Sequence, residues 1–346
     1  MKNIILNQKK KKKKKMNRLI MSTFIIVIGL IILFFGIALS VSLGAKQIDL
    51  NTVLSIILSP SNDINSKIIH DIRLPRVIAA ALVGAFLAVS GAIMQGITRN
   101  PIADPSIMGI TQGATFTIAI AFAMKSNIDS SGLMIFAFIG ASLSGIIVFL
   151  LSSRSIKGVS PIKLVLAGTA LGTLLISLAT AIAMYSNLSQ ELSFWIAGGL
   201  VTAKWEGVKI LAFVGTFGVI AAIILSPKIT ILSLGEELAI GLGQKTNIIR
   251  FIGILIVILL SGSSVAVAGN ISFLGLIVPQ IVRSLVGPDY RFIIPCSLVL
   301  GANLLVFSDI AARMINQPYE TPIGALTALL GVPFFIYIVR KEATSL

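Results

Sequence analysis

Charged side chains are scarce: Asp, Glu, Lys and Arg make up 12% of the 346 residues, about half the share in an ordinary soluble protein. A chain of this size cannot remain in water with so little charge on its exterior, so a soluble globular domain is excluded. One cysteine and one histidine are present. Cys296 has no partner for an intrachain disulfide, no Cys-rich or His-rich metal site can be assembled, and His70 alone reads as a structural polar group. There is no Ser/His/Asp set, HExxH or CxxC, so neither a catalytic residue nor a bound metal or other cofactor is expected. No nucleic-acid motif is present either.

What is abundant is apolar: 56% of residues are hydrophobic. Stretches free of Asp, Glu, Lys and Arg run from Leu19 to Ala45, Val77 to Ile102, Pro105 to Met124, Ser130 to Ser153, Leu164 to Gln190, Ile210 to Pro227, Phe251 to Val282, Phe292 to Ser308 and Thr321 to Val339. Each can reach across a hydrocarbon core of about 30 Å as a helix. The Phe251 to Val282 stretch is too long for one crossing and holds Gly269, Asn270, Gly275 and Pro279, which splits it in two. The expectation is an all-α polytopic membrane protein of ten spans, a single transmembrane domain over 19–346 preceded by a Lys-rich tail over 1–18.

The net charge of +15 is concentrated at one end: Lys2, Lys9 to Lys15 and Arg18 precede the first span, leaving 19 basic residues against 13 acidic ones elsewhere. A lysine run before a membrane helix is first a positive-inside signal, and only secondarily a lipid-binding patch. The apolar run behind it is longer than a signal-peptide core and ends in no clear cleavage site, which favours a retained first span. With an even number of spans, both termini are expected in the cytoplasm.

Small residues recur every fourth position at Gly109/Gly113, Gly168/Gly172 and Ala80/Gly84/Ala88, a spacing that lets membrane helices pack closely. Two segments are too short to cross: Ser193 to Val201 outside and Leu234 to Leu242 inside. In the second, Ser233 and Glu236 fit a capping box, Glu236 and Glu237 favour a helix start, and Gly241 and Gly243 stop it. Gly241 to Thr246 looks like the tail of a phosphate-binding loop but lacks the required glycines, so ATP binding is not expected of this chain. Asp104 and Asp309 fall at predicted span ends, and with no carboxylate pair inside a span a proton-coupled carrier is disfavoured.

Several long blocks, in order, resemble the iron-chelate (siderophore) and cobalamin permease family of type II ABC importers. They are Arg73-Leu-Pro-Arg76; Gly84 to Gly91 with Gln95 and Arg99-Asn-Pro-Ile-Ala-Asp-Pro105; Gly269 to Pro279 through Arg283; and Asp309, Arg313, Glu320 to Gly324 and Gly331 to Phe334. Thr321, where many relatives carry Leu, and the lysine tail depart from the pattern. The resemblance implies a permease in a bacterial cytoplasmic membrane. It implies a second permease subunit, identical or paralogous, two cytoplasmic ATPase subunits and an extracellular substrate-binding protein. A ferric siderophore is the expected cargo, with cobalamin or haem as alternatives.

Roles carried over by that resemblance stand beside plainer readings. Arg73, Arg76 and Arg313 would receive acidic residues of the binding protein, or else anchor the interface. Glu236, Glu237, Ala239, Gly241 and Gly243 would form the coupling helix, at about 234–243, that seats in the ATPase, or a surface helix with solvated acids. Ser160 and Pro161 would form a cytoplasmic gate, or simply open a helix. Thr169, Thr173, Ser177, Thr180 and Trp195 would line the path, although such hydroxyls often bond their own backbone.

Overall fold

The computed structural model describes residues 2–44, 48–59, 63–124, 128–153, 161–317 and 319–343, and among these there is no strand. The helices are α1 Lys2–Ser42, α2 Leu50–Leu58, α3 Ile64–Lys67, α4 Leu74–Thr98, α5 Ile110–Ala123, α6 Ser130–Ser153, α7 Pro161–Tyr185, α8 Ser189–Ala197, α9 Trp205–Ser233, α10 Glu236–Gly241, α11 Thr246–Ala268, α12 Leu274–Val286, α13 Tyr290–Met314 and α14 Ile323–Ala343. Seven are long and apolar enough to cross a membrane, α3 running through a π-helical turn, Ile68–Arg73, into α4 as one such unit; three apolar helices are shorter. Together they account for the ten expected segments. The tail and the first span are one continuous helix, α1, whose apolar part is Met16–Ser42.

The helices run between two ends. At the tail end Arg18, near the foot of α1, lies against Gly287 after α12. At the far end Val41 and Ser42 meet Arg73 at the head of α4. α4 is the centre of the bundle, buried along most of its length and packed by α9, α11, α12 and α13. Pro75 suits its first turn. Arg99, with φ of 53°, closes it in the left-handed conformation, and Pro101 bars continuation.

Two expected spans are only partial crossings. Pro105 to Met124 becomes a 3-10 turn, Pro105–Met108, followed after left-handed Gly109 by the 14 residues of α5, about 21 Å of helix. The chain leaving α4 at Arg99 therefore folds back into the bundle before α5 begins. α12, with 13 residues, also starts inside: α11 ends at Gly269 (φ 64°), and Phe273 (φ 68°) turns the chain into α12. Gly275, near the start of α12, lies beside Leu87, halfway along α4, and beside Asp104 and Pro105. Asp104 is thus not at a span end. It lies at mid-depth, where its Oδ1 accepts from the Ser106 amide at 2.9 Å.

Irregular backbone at this depth must find partners within the protein. Gln95 of α4 donates to the carbonyls of Gly275 and Leu276 at 3.2 and 3.3 Å, and Gln280 donates to Gln95 Oε1 and the Pro101 carbonyl, both at 2.8 Å. Those two glutamines stitch the re-entrant loop to the broken helix.

The four-residue spacing of small residues serves packing. Gly84 and Ala88 receive Gly301 of α13, Gly91 receives the Gly275 backbone, Gly113 receives Gly140 of α6, and Gly109 faces Gly168 and Gly172 of α7. The short far-end helix is α8, Ser189–Ala197, four residues earlier than the expected Ser193 to Val201. A methyl group at Gly91 would overlap the Gly275 carbonyl. Gly91→Ala is expected to cost about 1–3 kcal/mol, seen as a lower melting temperature of detergent-purified protein. Gly199→Ala, whose added methyl meets nothing within 4 Å, should stay within about 0.5 kcal/mol of the parent.

Candidate functional site

At the far end, the π-helical turn and the start of α4 aim Arg73 and Arg76 toward α1 and α13. The three arginines expected on the rim are turned inward, with exposures of 6% for Arg73, 6% for Arg76 and 9% for Arg313. Arg76 donates through Nε and Nη2 to Asp309 Oδ1 at 3.0 and 2.8 Å, and through Nη1 to Glu320 Oε1 at 2.7 Å. Arg313 approaches Asp309 Oδ2 at 3.2 Å and donates to Ser40 Oγ at 2.6 Å. Arg73 donates to the carbonyls of Val41 and Ser42 at 2.6 and 3.0 Å. Asp309 is fully buried, and its ion pairs join α4 to α13. The reason for the inward turn is this carboxylate: a buried charge must be paired, and two guanidinium groups pair it. Glu320, with a side chain 39% exposed, is the accessible member of the network.

Beside that network opens a cavity of about 620 Å³, lined mostly by apolar groups together with Arg76, Glu191, Trp195, Tyr319 and Glu320. Deeper lies a second cavity of about 330 Å³, where Thr169 and Thr173 of α7 face Thr111, Gln112 and Thr115 of α5 and Asn270. Two of the four expected path hydroxyls are therefore brought to a polar cavity, and Trp195 borders the larger one. Ser177 and Thr180 line neither. All four hydroxyls donate to carbonyls of their own helix at 2.8–3.0 Å. Ser160 lies outside the described residues; Pro161 is the first residue of α7.

At the tail end α10 spans Glu236–Gly241, shorter than expected. The expected capping box does not form. Gly235, with φ of 141°, occupies the cap position, and Ser233 Oγ donates instead to the Thr230 carbonyl at 2.7 Å. Glu236 turns to its own chain, accepting from Arg250 Nη1 at 2.8 Å and Nη2 at 3.0 Å, and from Thr246 Oγ1 at 3.3 Å. Its carboxylate is thus engaged within the chain, whereas Glu237 is exposed. Ala239 is buried, while Leu234, Leu238, Ile240 and Leu242 are exposed and the space around Gly235, Gly241 and Gly243 is open. The hydrogen bond from Arg250 holds the Glu236 carboxyl below the usual glutamate range, with partial burial acting against it.

Residue patterns missed three participants: Asp309 as the counter-charge, Arg250 as the partner of Glu236, and the Gln95–Gln280 pair. The contacts of Asp309 with Arg76, of Arg250 with Glu236 and of Gln95 with Gln280 lie 14 or more residues apart, for which a single sequence carries no spacing signal, whereas Asp309 and Arg313 stand at the four-residue helical step. Gln95 and Asp309 did stand in the resembling blocks, without a role attached.

The site thus combines a bundle with broken helices, two cavities among its helices and a small exposed helix at one end. The model of the FecCD transport family matches residues 30–341. The chain belongs to the FecCD transport family. It is a permease subunit and not an enzyme. Similar FecCD proteins include the iron(3+)-hydroxamate import system permease protein FhuB of Bacillus subtilis (strain 168), 51% identical across 93% of this chain and 84% of that one. Another is the ferric enterobactin transport system permease protein FepD of Escherichia coli (strain K12), 35% identical across 90% of this chain and 94% of that one. A solved inward-facing conformation of a metal-chelate type ABC transporter superimposes with a TM-score of 0.81 at 30% identity, over 92% of this chain and 99% of that one.

Within this FecCD permease, Asp309→Asn would leave buried Arg313 without its close countercharge and Arg76 with Glu320 alone, and the expected loss is about 3–5 kcal/mol. Glu320→Gln removes a partly solvated partner and should cost no more than about 1 kcal/mol. Thermal unfolding of the purified variants compares them. At Glu236 the depressed carboxyl means that the ion pair with Arg250 contributes fully above the ordinary glutamate range and is lost only as pH falls through its lowered value. A spin label at Gly241→Cys should keep its mobility from pH 8 to 6 and become freer only in stronger acid.

Proposed function

We propose that this chain is the membrane-spanning permease of an ATP-driven importer for ferric siderophores, of the hydroxamate class in the first instance. It works in a bacterial cytoplasmic membrane with both termini in the cytoplasm. The observation that carries the reading is the 51% identity to the hydroxamate permease across nearly the whole chain, a range in which the broken helices and both cavities are included. The lysine run at the start of α1 supports the orientation.

The permease pairs with a second permease subunit, and the chelate passes from the 620 Å³ cavity toward the smaller polar one, past Trp195, Thr169 and Thr173. The gate is assigned to Ser160 and Pro161 on the family resemblance. A substrate-binding protein docks at the far end. In this reading Arg73, together with Arg76 and Arg313 that Asp309 and Glu320 hold inward, receives acidic residues of the binding protein, and Glu320 is the member of the network that the partner meets first, charges at such a surface serving to orient a partner. At the tail end α10 is the contact for the ATPase. Its exposed leucine and isoleucine side chains make an apolar patch outside the long helices, and bare glycine backbone allows close approach.

Uptake of iron-55-labelled ferric trihydroxamate and of labelled cobalamin, in a strain lacking the gene and in the complemented strain, tests the cargo. Loss of iron uptake alone is expected; loss of cobalamin uptake alone replaces the substrate and leaves the fold untouched. Gly241→Trp should leave insertion intact and abolish transport, and normal transport by that variant would remove α10 from the ATPase contact. Binding-protein capture should weaken several-fold between low and high salt, whereas salt-independent capture would refute electrostatic docking.

A further inference from the structure

α10 is joined to the bundle by few connections. Gly235 and Gly243, with φ of 141° and 78°, bracket it, and a methyl group built at either would meet nothing within 4 Å. Two glycines in open space are hinges, so α10 can tilt on them at little cost. Among the described residues, the side-chain hydrogen bonds from α10 to other helices all run through Glu236, to Thr246 and to Arg250. Ala239 supplies a buried contact but no directional tie.

Arg250 is different in kind. It stands on the second turn of α11, is 2% exposed, and grips both carboxylate oxygens of Glu236 with the two ends of its fork. Its third nitrogen, Nε, donates to the Ile97 carbonyl at 3.4 Å. Ile97 is the second-last residue of α4, where carbonyls have no partner within the helix. One buried guanidinium therefore touches α10, α11 and the end of α4. The other end of α4 carries Arg76 in the far-end ion-pair network, and the helix between is packed on several sides by bare backbone contacts at Gly84 and Gly91. A planar fork holds its partners at fixed angles, which a lysine ammonium cannot do.

We propose that Arg250 is the positioning residue that turns a displacement of α10 into a displacement of α4, so that ATPase closure at the tail end reaches the binding-protein surface at the far end. This rests on the reading of α10 as the ATPase contact. The Arg250–Glu236 pair holds α10 in register, and the Arg250–Ile97 contact passes that register to the central helix. An importer needs such a link, because two remote sites are coupled only through an element whose arrangement both of them bias.

The test uses the whole transporter, both permease subunits, the ATPases and the binding protein, in proteoliposomes, with iron-55 ferric trihydroxamate as the transported probe. For Arg250→Gln, the ATPases should co-purify in unchanged proportion and basal ATP hydrolysis should persist. In this variant and in Glu236→Gln, the stimulation of hydrolysis by loaded binding protein should fall at least tenfold, and ATP consumed per iron imported should rise. Arg250→Lys keeps the charge and one contact, and serves where the glutamine variant inserts poorly; it should be intermediate. The double variant Arg250→Gln with Glu236→Gln should be no worse than either single one.

Stimulation and transport stoichiometry that stay at parental levels in Arg250→Lys and Glu236→Gln would overturn the proposal. So would a loss of ATPase binding and protein yield in step with activity, which marks a purely structural residue. Gly241→Trp run in parallel separates the two failures. If it disrupts coupling while the Arg250 variants do not, α10 remains the ATPase contact and Arg250 is not its link. If Gly241→Trp couples normally, the α10 reading falls, and the Arg250 proposal with it.

Discussion

The whole architecture depends on how closely other backbones can approach α4. In a medium without water, helices gain nothing from hiding apolar surface from one another, and association rests on packing and on internal hydrogen bonds. Gly84 and Gly91 let the backbones of α13 and α12 reach contact with α4. That proximity brings Gln95 within reach of the Gly275 and Leu276 carbonyls. It also places the start of α12 beside the re-entrant loop, and so allows two helices to begin at mid-depth. A side chain at either glycine would push apart the elements that satisfy the broken backbone.

The charged groups follow the same logic of internal satisfaction. Asp309 is wholly buried with Arg76 and Arg313 around it, and the network ties α13 to α4 and, through Ser40, to α1. Removing one member costs far more than the assembled network contributes. At the tail end Glu236 and Arg250 repeat the pattern on a smaller scale, with one partner buried and the other partly in water. The permease is thus fastened by ion pairs at both ends of one central helix.

Charge-free stretches made the bundle legible, because a helix that faces lipid or other helices has no use for charge, and the break within Phe251 to Val282 was marked by Gly269 and Asn270, whereas Gly275 and Pro279 lie inside α12. The half-length of α5 was hidden, since Pro105 to Met124 is long enough to cross and only the packing of Asp104 against Gly275 reveals the fold-back. The capping box at Ser233 failed for a related reason: the serine hydroxyl has a nearer acceptor in the preceding turn, and Glu236 has a stronger donor in Arg250. The arginines of the far end illustrate the general limit. The sequence stretch Phe292 to Ser308 left Arg313 beyond its span, whereas α13 runs on to Met314 and includes it, and nothing along the chain told on which side of the helix the counter-charge of these arginines lay.

The hydroxyls of α7 each bond a carbonyl of their own helix, and two of them border the smaller cavity. A surface of that kind holds no donor in reserve. Facing them, Gln112 lines the same cavity with a side-chain oxygen that has no partner among the described residues, so one wall is self-satisfied and the other is left open to a donor. Whatever enters this cavity therefore finds its hydrogen-bonding partner on the α5 side and a wall of closed hydroxyls on the α7 side.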